Sequence, residues 1–185
     1  MNKAIDPRVA RTRRLLMDTL TELIVEEGYD AITIREIVRK AGVNRSTFYL
    51  HFRDKQDILT HMQEDILNGL AHSLNYPTYT YKSALQDYQS SKMPIKSHMA
   101  MFEHIQKHAS LYRTMLIERE FRERVTQVIR TEVLRFRDSV WEAAFMSNGA
   151  VGVILYWLEN GMKETITDMS LWLTRVILFP LGKFE

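Results

Sequence analysis

The run TIREIVRKAGVNRSTFYLHFRDKQDIL, residues 33–59, constrains this chain more than any other stretch. Thr33 and Glu36 have the spacing of a capping box, in which each side chain satisfies the other's free backbone amide, so a helix starts at Thr33. Ile34, Ile37, Val38 and Ala41 follow as one apolar helical stripe, with Arg35, Arg39 and Lys40 off it. Gly42 permits the left-handed backbone that ends the helix. Asn44 can cap a short second helix on which Phe48 and Phe52 share one face while Arg45 and Tyr49 share another. A helix, a glycine turn and a second helix with exposed polar residues is the arrangement that lays one helix across a DNA backbone and the other in the major groove.

The flanks extend this into a headpiece. From about Arg8 to Glu27, Val9, Leu16, Leu20, Leu23 and Ile24 form an amphipathic pattern that Gly28 closes. Asp54 caps a further helix with Ile58, Leu59, Met62, Ile66 and Leu70 on its inner side, continuing to about His72. Residues 75–94 read as a linker with one helical turn around Ala84. Helical patterns then run from Ile95 to about Lys107, Ser110 to about Leu116, about Glu118 to Phe145, Asn148 to Asn160, and Asp168 to about Phe179. The long one carries Val125, Val128, Ile129, Val133 and Phe136 inward, and Gly161 ends the next. No strand pattern competes. The expected class is all-α: a three-helix helix-turn-helix headpiece over residues 1–55 and a helical-bundle regulatory and dimerisation domain over 56–185.

Composition narrows the function. Cysteine is absent, which excludes a disulfide framework, a cysteine-based zinc site and a thiol nucleophile. No H-E-x-x-H, G-x-S-x-G or glycine-rich phosphate loop occurs, so neither a catalytic site nor a cofactor is expected. His104 and His108 share a helix face at a metal-compatible spacing but lack an evident third ligand, and no metal is expected. The apolar runs 150–158 and 171–181 are shorter than the roughly 17–25 residues of a membrane span, and no signal peptide is read at the N-terminus. A cytoplasmic protein is expected. Net charge is only +2, but residues 33–55 hold six cations against Glu36 and Asp54, a local +4. Arg8, Arg11, Arg13 and Arg14 add a second basic cluster.

Read physically, Arg45 can reach guanine acceptors, and Asn44 and Ser46 can read base edges or bond phosphates. Thr47, Tyr49, His51 and Lys55 can supply the backbone contacts that set register. The plainer readings stand beside these: Asn44 and Thr33 as caps, His51 as a surface histidine, Arg39 and Lys40 as a solvated face.

The segment 33–59 resembles, without gaps, the signature of the TetR family, with strong likeness from about Arg11 to Leu59. The resemblance implies phosphate contacts from Thr47, Tyr49, His51 and Lys55, and a base contact from Arg35. The family has a small residue where this chain has Val38, and Arg45 falls at a variable position, so base specificity does not carry over. It also implies a homodimer built on the last two helices, here through Val151, Ile154, Leu155, Leu158, Trp172, Val176 and Phe179; both helices are apolar nearly all round. The motif YWLENGMKET followed by DMS is similar to the C-terminal region of a TetR subgroup that includes dihydroxyacetone-kinase regulators.

Phe102, His104, Tyr112, Trp141 and Tyr156 are candidates for a ligand pocket in the body, with core packing the plainer reading of an aromatic stripe. The expected function is a sequence-specific DNA-binding transcriptional regulator, a ligand-responsive repressor that binds a near-palindromic double-stranded operator as a homodimer. The alternative is a co-regulator that needs no effector or answers to a protein partner.

Overall fold

The computed structural model describes residues 6–75, 80–135 and 137–179, and the described residues form ten helices and no strand. They fall into two compact units, Met1–Asp65 and Ile66–Glu185, with the division inside a helix.

In the first unit, α1 (Pro7–Glu27) starts with Asp6 accepting the Arg8 N–H at 2.9 Å and Pro7 supplying a preset first-turn φ. α2 (Ile34–Ala41), α3 (Arg45–His51) and the first turns of α4 (Lys55–Leu74) complete it. Its core is the apolar stripe of each helix: Leu16, Leu20, Leu23 and Ile24; Ile37 and Val38; Phe48 and Phe52; Ile58, Leu59 and Met62. Val9, expected on the inner face of α1, is instead exposed, because it lies seven residues, about two turns, short of the first buried position, Leu16. Two polar clamps join the helices. Lys40 on α2 pairs with Glu22 (3.4 Å) and Glu26 (2.6 Å) of α1, and Arg13 donates to the His51 carbonyl at 3.0 Å while stacking on Phe52.

The second unit holds the rest of α4 and α5 (Tyr81–Ser91), α6 (Lys96–Lys107), α7 (Ala109–Met115), α8 (Arg119–Val133), α9 (Val140–Glu159) and α10 (Ile166–Leu178). α8 packs on α9, α10 on α6 and α7 on α9. Phe102 meets Trp157 edge-on at 5.4 Å, and the Trp157 indole N–H donates to the Glu164 carbonyl at 3.0 Å.

Three expectations are corrected here. The expected linker contains an eleven-residue helix, α5, nucleated by a Thr80/Ser83 capping box and anchored by Ala84 and Tyr88 in a cluster with Ile95 and Leu178. The single helix from Glu118 to Phe145 is two, because Ser139 caps a new start by accepting the Glu142 N–H; Phe136, expected to face inward, lies outside the described residues. That start gives α9 two turns more than the Asn148–Asn160 reading allowed.

Candidate nucleic-acid interface

The turn between α2 and α3 is fixed locally. Gly42 takes φ 67° and ψ 27°, a conformation that costs other residues roughly 1–2 kcal/mol, and Val43 N–H then closes on the Val38 carbonyl at 3.0 Å. At the other end, the Asn44 Oδ1 accepts three donors: the Thr47 N–H (2.7 Å), the Ser46 hydroxyl (2.7 Å) and the Thr47 hydroxyl (2.8 Å). The cap thus rotates α3 so that Phe48 is fully buried and the opposite face is free.

That free face carries the residues expected to meet DNA. Arg45 and Tyr49 are exposed and act as a pair: the guanidinium donates to the Tyr49 hydroxyl at 3.1 Å and leans over its ring, with the ring centroid 5.6 Å away. Ser46 is exposed and Thr47 half-buried, and each must leave Asn44 before its hydroxyl can donate to a phosphate. Arg35 and Arg39 are exposed at the α2 end of the same motif. Thr33 is a cap, and its hydroxyl and backbone hydrogen bonds hold the Glu36 carboxyl below the usual carboxylate range. His51 is half-buried, with its carbonyl taken by Arg13. Lys55 is tied inward. Its ammonium donates to the carbonyls of Tyr29 (2.8 Å) and Asp30 (3.4 Å) and rides over the Tyr29 ring. One residue of this face was not singled out from the sequence: Leu50, which is 82% exposed. Placing α3 on a 100°-per-residue wheel from Phe48 would have found it.

In the body the five expected pocket residues do not converge. Phe102 and Tyr112 are core, and burial raises the Tyr112 phenol; Trp141 and Tyr156 point outward, 87% and 64% exposed. His104 is half-buried, with Nε2 3.1 Å from the Ile66 carbonyl, and burial first and His108 next push its pKa down to about 4. It rests against Gly69, where any Cβ would meet the ring. An apolar pocket of about 30 Å³ lies elsewhere, bounded mainly by apolar side chains of α6, α8, α9 and α10, with Ser97, His98 and Glu132 as its polar wall. Larger, more open clefts accompany it, of about 450 Å³ beside α5 and α6 and about 420 Å³ between α9 and α10, the latter lined by Tyr156 and Trp172. His98 Nδ1 is 2.9 Å from the Thr174 hydroxyl oxygen, which accepts the Ile95 N–H, and burial pushes this imidazole to about 4. Burial raises the Glu132 carboxyl. Among the described residues no group of three or more His, Cys, Asp or Glu is placed to hold a metal ion, and no helix is long and apolar enough to cross a membrane.

The expected interface residues also divide. Val151, Ile154 and Leu158 are buried in the core of the body, so they do not present a surface; their side of α9 faces inward. Phe179 is partly covered, packing on Tyr88 with ring centroids 5.8 Å apart. Leu155 and Val176 are half-buried, and Trp172 is exposed. The outward side of α9 carries instead Trp141, Phe145 (78% exposed) and Tyr156, with Gly149 and Gly152 opening onto free space.

Residues 16–62 match the family described as bacterial regulatory proteins, tetR family, and residues 94–178 match a transcriptional regulator C-terminal region. An uncharacterized HTH-type transcriptional regulator of Bacillus subtilis, YxbF, is 41% identical over 61 residues, which is 32% of this chain and 16% of that protein. Matches to the first curated relatives span 16% to 29% of their lengths. Among solved structures, the regulator FadR from Bacillus subtilis in complex with stearoyl-CoA superposes with a TM-score of 0.66 at 18% identity, over 91% of this chain and 99% of that one. The dihydroxyacetone kinase operon activator DhaS does so with a TM-score of 0.62 at 14% identity, over 94% and 98%. With both segments matched and the helix-turn-helix and helical body in the order those matches require, the chain belongs to the TetR family of helix-turn-helix transcriptional regulators.

Proposed function

We propose that this chain is a cytoplasmic, sequence-specific DNA-binding repressor that acts as a homodimer and is released by an effector engaging its body. The observation that carries the reading is the free face of α3: Arg45, Ser46 and Tyr49 stand outward on a helix whose other side is held by Phe48, within a segment of local charge +4. Such a helix fits a major groove, with exposed Arg35 and Arg39 near phosphates, and Arg45 free to address a guanine once it releases Tyr49. The Thr47 hydroxyl, the Lys55 ammonium and the Tyr49 hydroxyl each already have partners within the headpiece, Asn44, the Tyr29 carbonyl and Arg45, that DNA contact would have to replace, whereas the His51 bond to Arg13 engages only its backbone carbonyl.

The occupant assigned to the outward side of α9 is a second copy of this chain. Trp141, Phe145, Tyr156 and Trp172 form an exposed aromatic surface, and Gly149 and Gly152 let another helix approach closely. A two-fold pair imposes half-sites about 34–36 Å apart or a multiple of it. Phe145→Glu is expected to yield folded monomers by analytical ultracentrifugation.

Binding is tested by fluorescence anisotropy on a duplex enriched from a random library by the purified protein. Arg45→Ala is expected to cost roughly 1–3 kcal/mol and relax base preference at one position per half-site. Arg39→Ala is expected to weaken all sequences alike and flatten the salt dependence by about 0.9 per lost phosphate contact. Enrichment of no duplex sinks the reading. A second reading, a regulator answering to a protein partner or to no effector, is favoured by the small apolar pocket of the body, about 30 Å³, while the clefts of about 450 and 420 Å³ are more open to solvent than a site that buries most of a ligand. A ligand that stabilises the protein and lowers operator affinity supports the first reading; stabilising ligands that leave affinity unchanged support the second.

A further inference from the structure

Among the described residues of the headpiece, the most exposed large apolar side chain is Leu50, at 82%, and it stands on α3. Phe48, two residues earlier, is wholly buried. At about 100° per residue, Leu50 projects about 160° from Phe48, and so does Ser46 on the other side. The two residues, four apart, therefore crown the helix at the points farthest from the core, while Arg45 and Tyr49 occupy one flank.

At 82% exposure, a leucine at that apex is not held there by burial among the described residues. On a helix lying in a major groove, the apex faces base edges directly, while the flanks face the phosphate rims and only a side chain as long as that of Arg45 reaches a base edge from there. The apolar group that a major-groove edge offers is the C5-methyl of thymine. Exposed Arg35, Arg39 and Arg45 make the surroundings complementary to a polyanion, so attraction does not depend on Leu50, and its contribution is to selectivity. We propose that Leu50 is a base-reading residue that packs against the C5-methyl of one thymine in each half-site. This rests on the DNA-binding reading and adds to it the chemistry of one recognised base.

The test uses the full-length protein and the duplex it enriches from a random library. Each thymine of the half-site is replaced in turn by deoxyuracil, which deletes the methyl and leaves base pairing intact. One position is expected to respond, with affinity falling roughly fourfold per methyl and about fifteenfold when both half-sites are changed. Leu50→Ala is expected to bind the thymine and uracil duplexes equally at that position. Its thermal unfolding should match the unsubstituted protein, since the side chain it removes is solvent-exposed. Equal binding of every uracil duplex by the unsubstituted protein overturns the proposal. So does a uracil penalty that survives Leu50→Ala, or a Leu50→Ala variant with undiminished operator affinity, which would give the leucine to a protein partner. Failure to enrich any duplex overturns the DNA-binding reading itself, and this inference with it.

Discussion

The headpiece and the body bury their cores by the same rule and present opposite surfaces. On α3 the residues opposite Phe48 are polar or charged except Leu50, whereas on α9 the residues opposite Ile154 and Trp157 include Trp141, Phe145 and Tyr156. The difference teaches that a helix's inner face reports folding and its outer face reports partners. A charged, hydroxyl-rich exterior suits a polyanion that brings its own water and counterions. An aromatic exterior suits an apolar partner that excludes water.

The sharpest way to break the comparison is to place a charge on each side of α9. Ile154→Glu puts an unpaired carboxylate where the side chain is 1% exposed, and is expected to cost about 3–5 kcal/mol of body stability in urea unfolding. Phe145→Glu, on the outer side, should leave the unfolding of the monomeric unit nearly unchanged while altering its association. Equal losses from the two would show that the exposed face is itself part of the fold.

Acid should separate the units next. His98 is buried in the body with its pKa pushed down to about 4 from an ordinary 6.5. Between these values the unfolded chain binds the proton and the folded one does not, so this group's contribution is complete above about pH 6.5 and falls with pH by about 1.4 kcal/mol per unit toward 4, and the less buried His104, also pushed down to about 4, adds a smaller contribution of the same sign. Glu132, at the same cavity and raised by burial, acts in the opposite sense near the acid end, since it takes up a proton more readily when folded. His98→Asn is expected to reduce the pH dependence of urea unfolding by the share of one proton, leaving the smaller share of His104. A slope unchanged by that substitution would assign the acid sensitivity to another group.

A smaller effect probes how the body's helices meet. In Gly69→Ala the new Cβ would lie 2.4 Å from the His104 ring, displacing it from the Ile66 carbonyl. Displacement costs about 1–3 kcal/mol and helix propensity returns about 1, so a net loss near 1 kcal/mol is expected. In a His104→Ala background the same change should stabilise. Thermal unfolding of the four variants measures both.

In the headpiece, Asn44→Ala removes the oxygen that accepts three donors and is expected to cost about 1 kcal/mol. DNA affinity should fall by more than stability alone explains, because the cap also sets the rotation of α3. Asn44→Ser, which keeps a capping oxygen, is expected to recover most of the stability by thermal unfolding.

The headpiece was legible because its determinants are short-range. Thr33 with Glu36, the stripe Ile34–Ile37–Val38–Ala41, Gly42 and the Asn44 cap each act within a few residues, and each reappears in the structure as a cap, a buried face or a turn. Two body elements carried equally local signals, the Thr80/Ser83 box and the Ser139 cap with Glu142, and they were hidden by a polar stretch and by an unbroken amphipathic pattern. With those signals read, the sequence by itself determines an all-helical chain, its caps and its headpiece.

Which side of α9 is covered, whether Tyr156 or Tyr112 reaches the interior, and what His104 touches were decided only by tertiary structure. An apolar residue has the same periodic pattern whether it meets the core or solvent, so Ile154 and Phe145 look alike in a sequence. The bond from His104 to the Ile66 carbonyl joins residues 38 apart, and it exists because Gly69 has no side chain to hold the ring away. Such contacts depend on the simultaneous placement of several helices, and the spacing of residues along one helix carries no record of it.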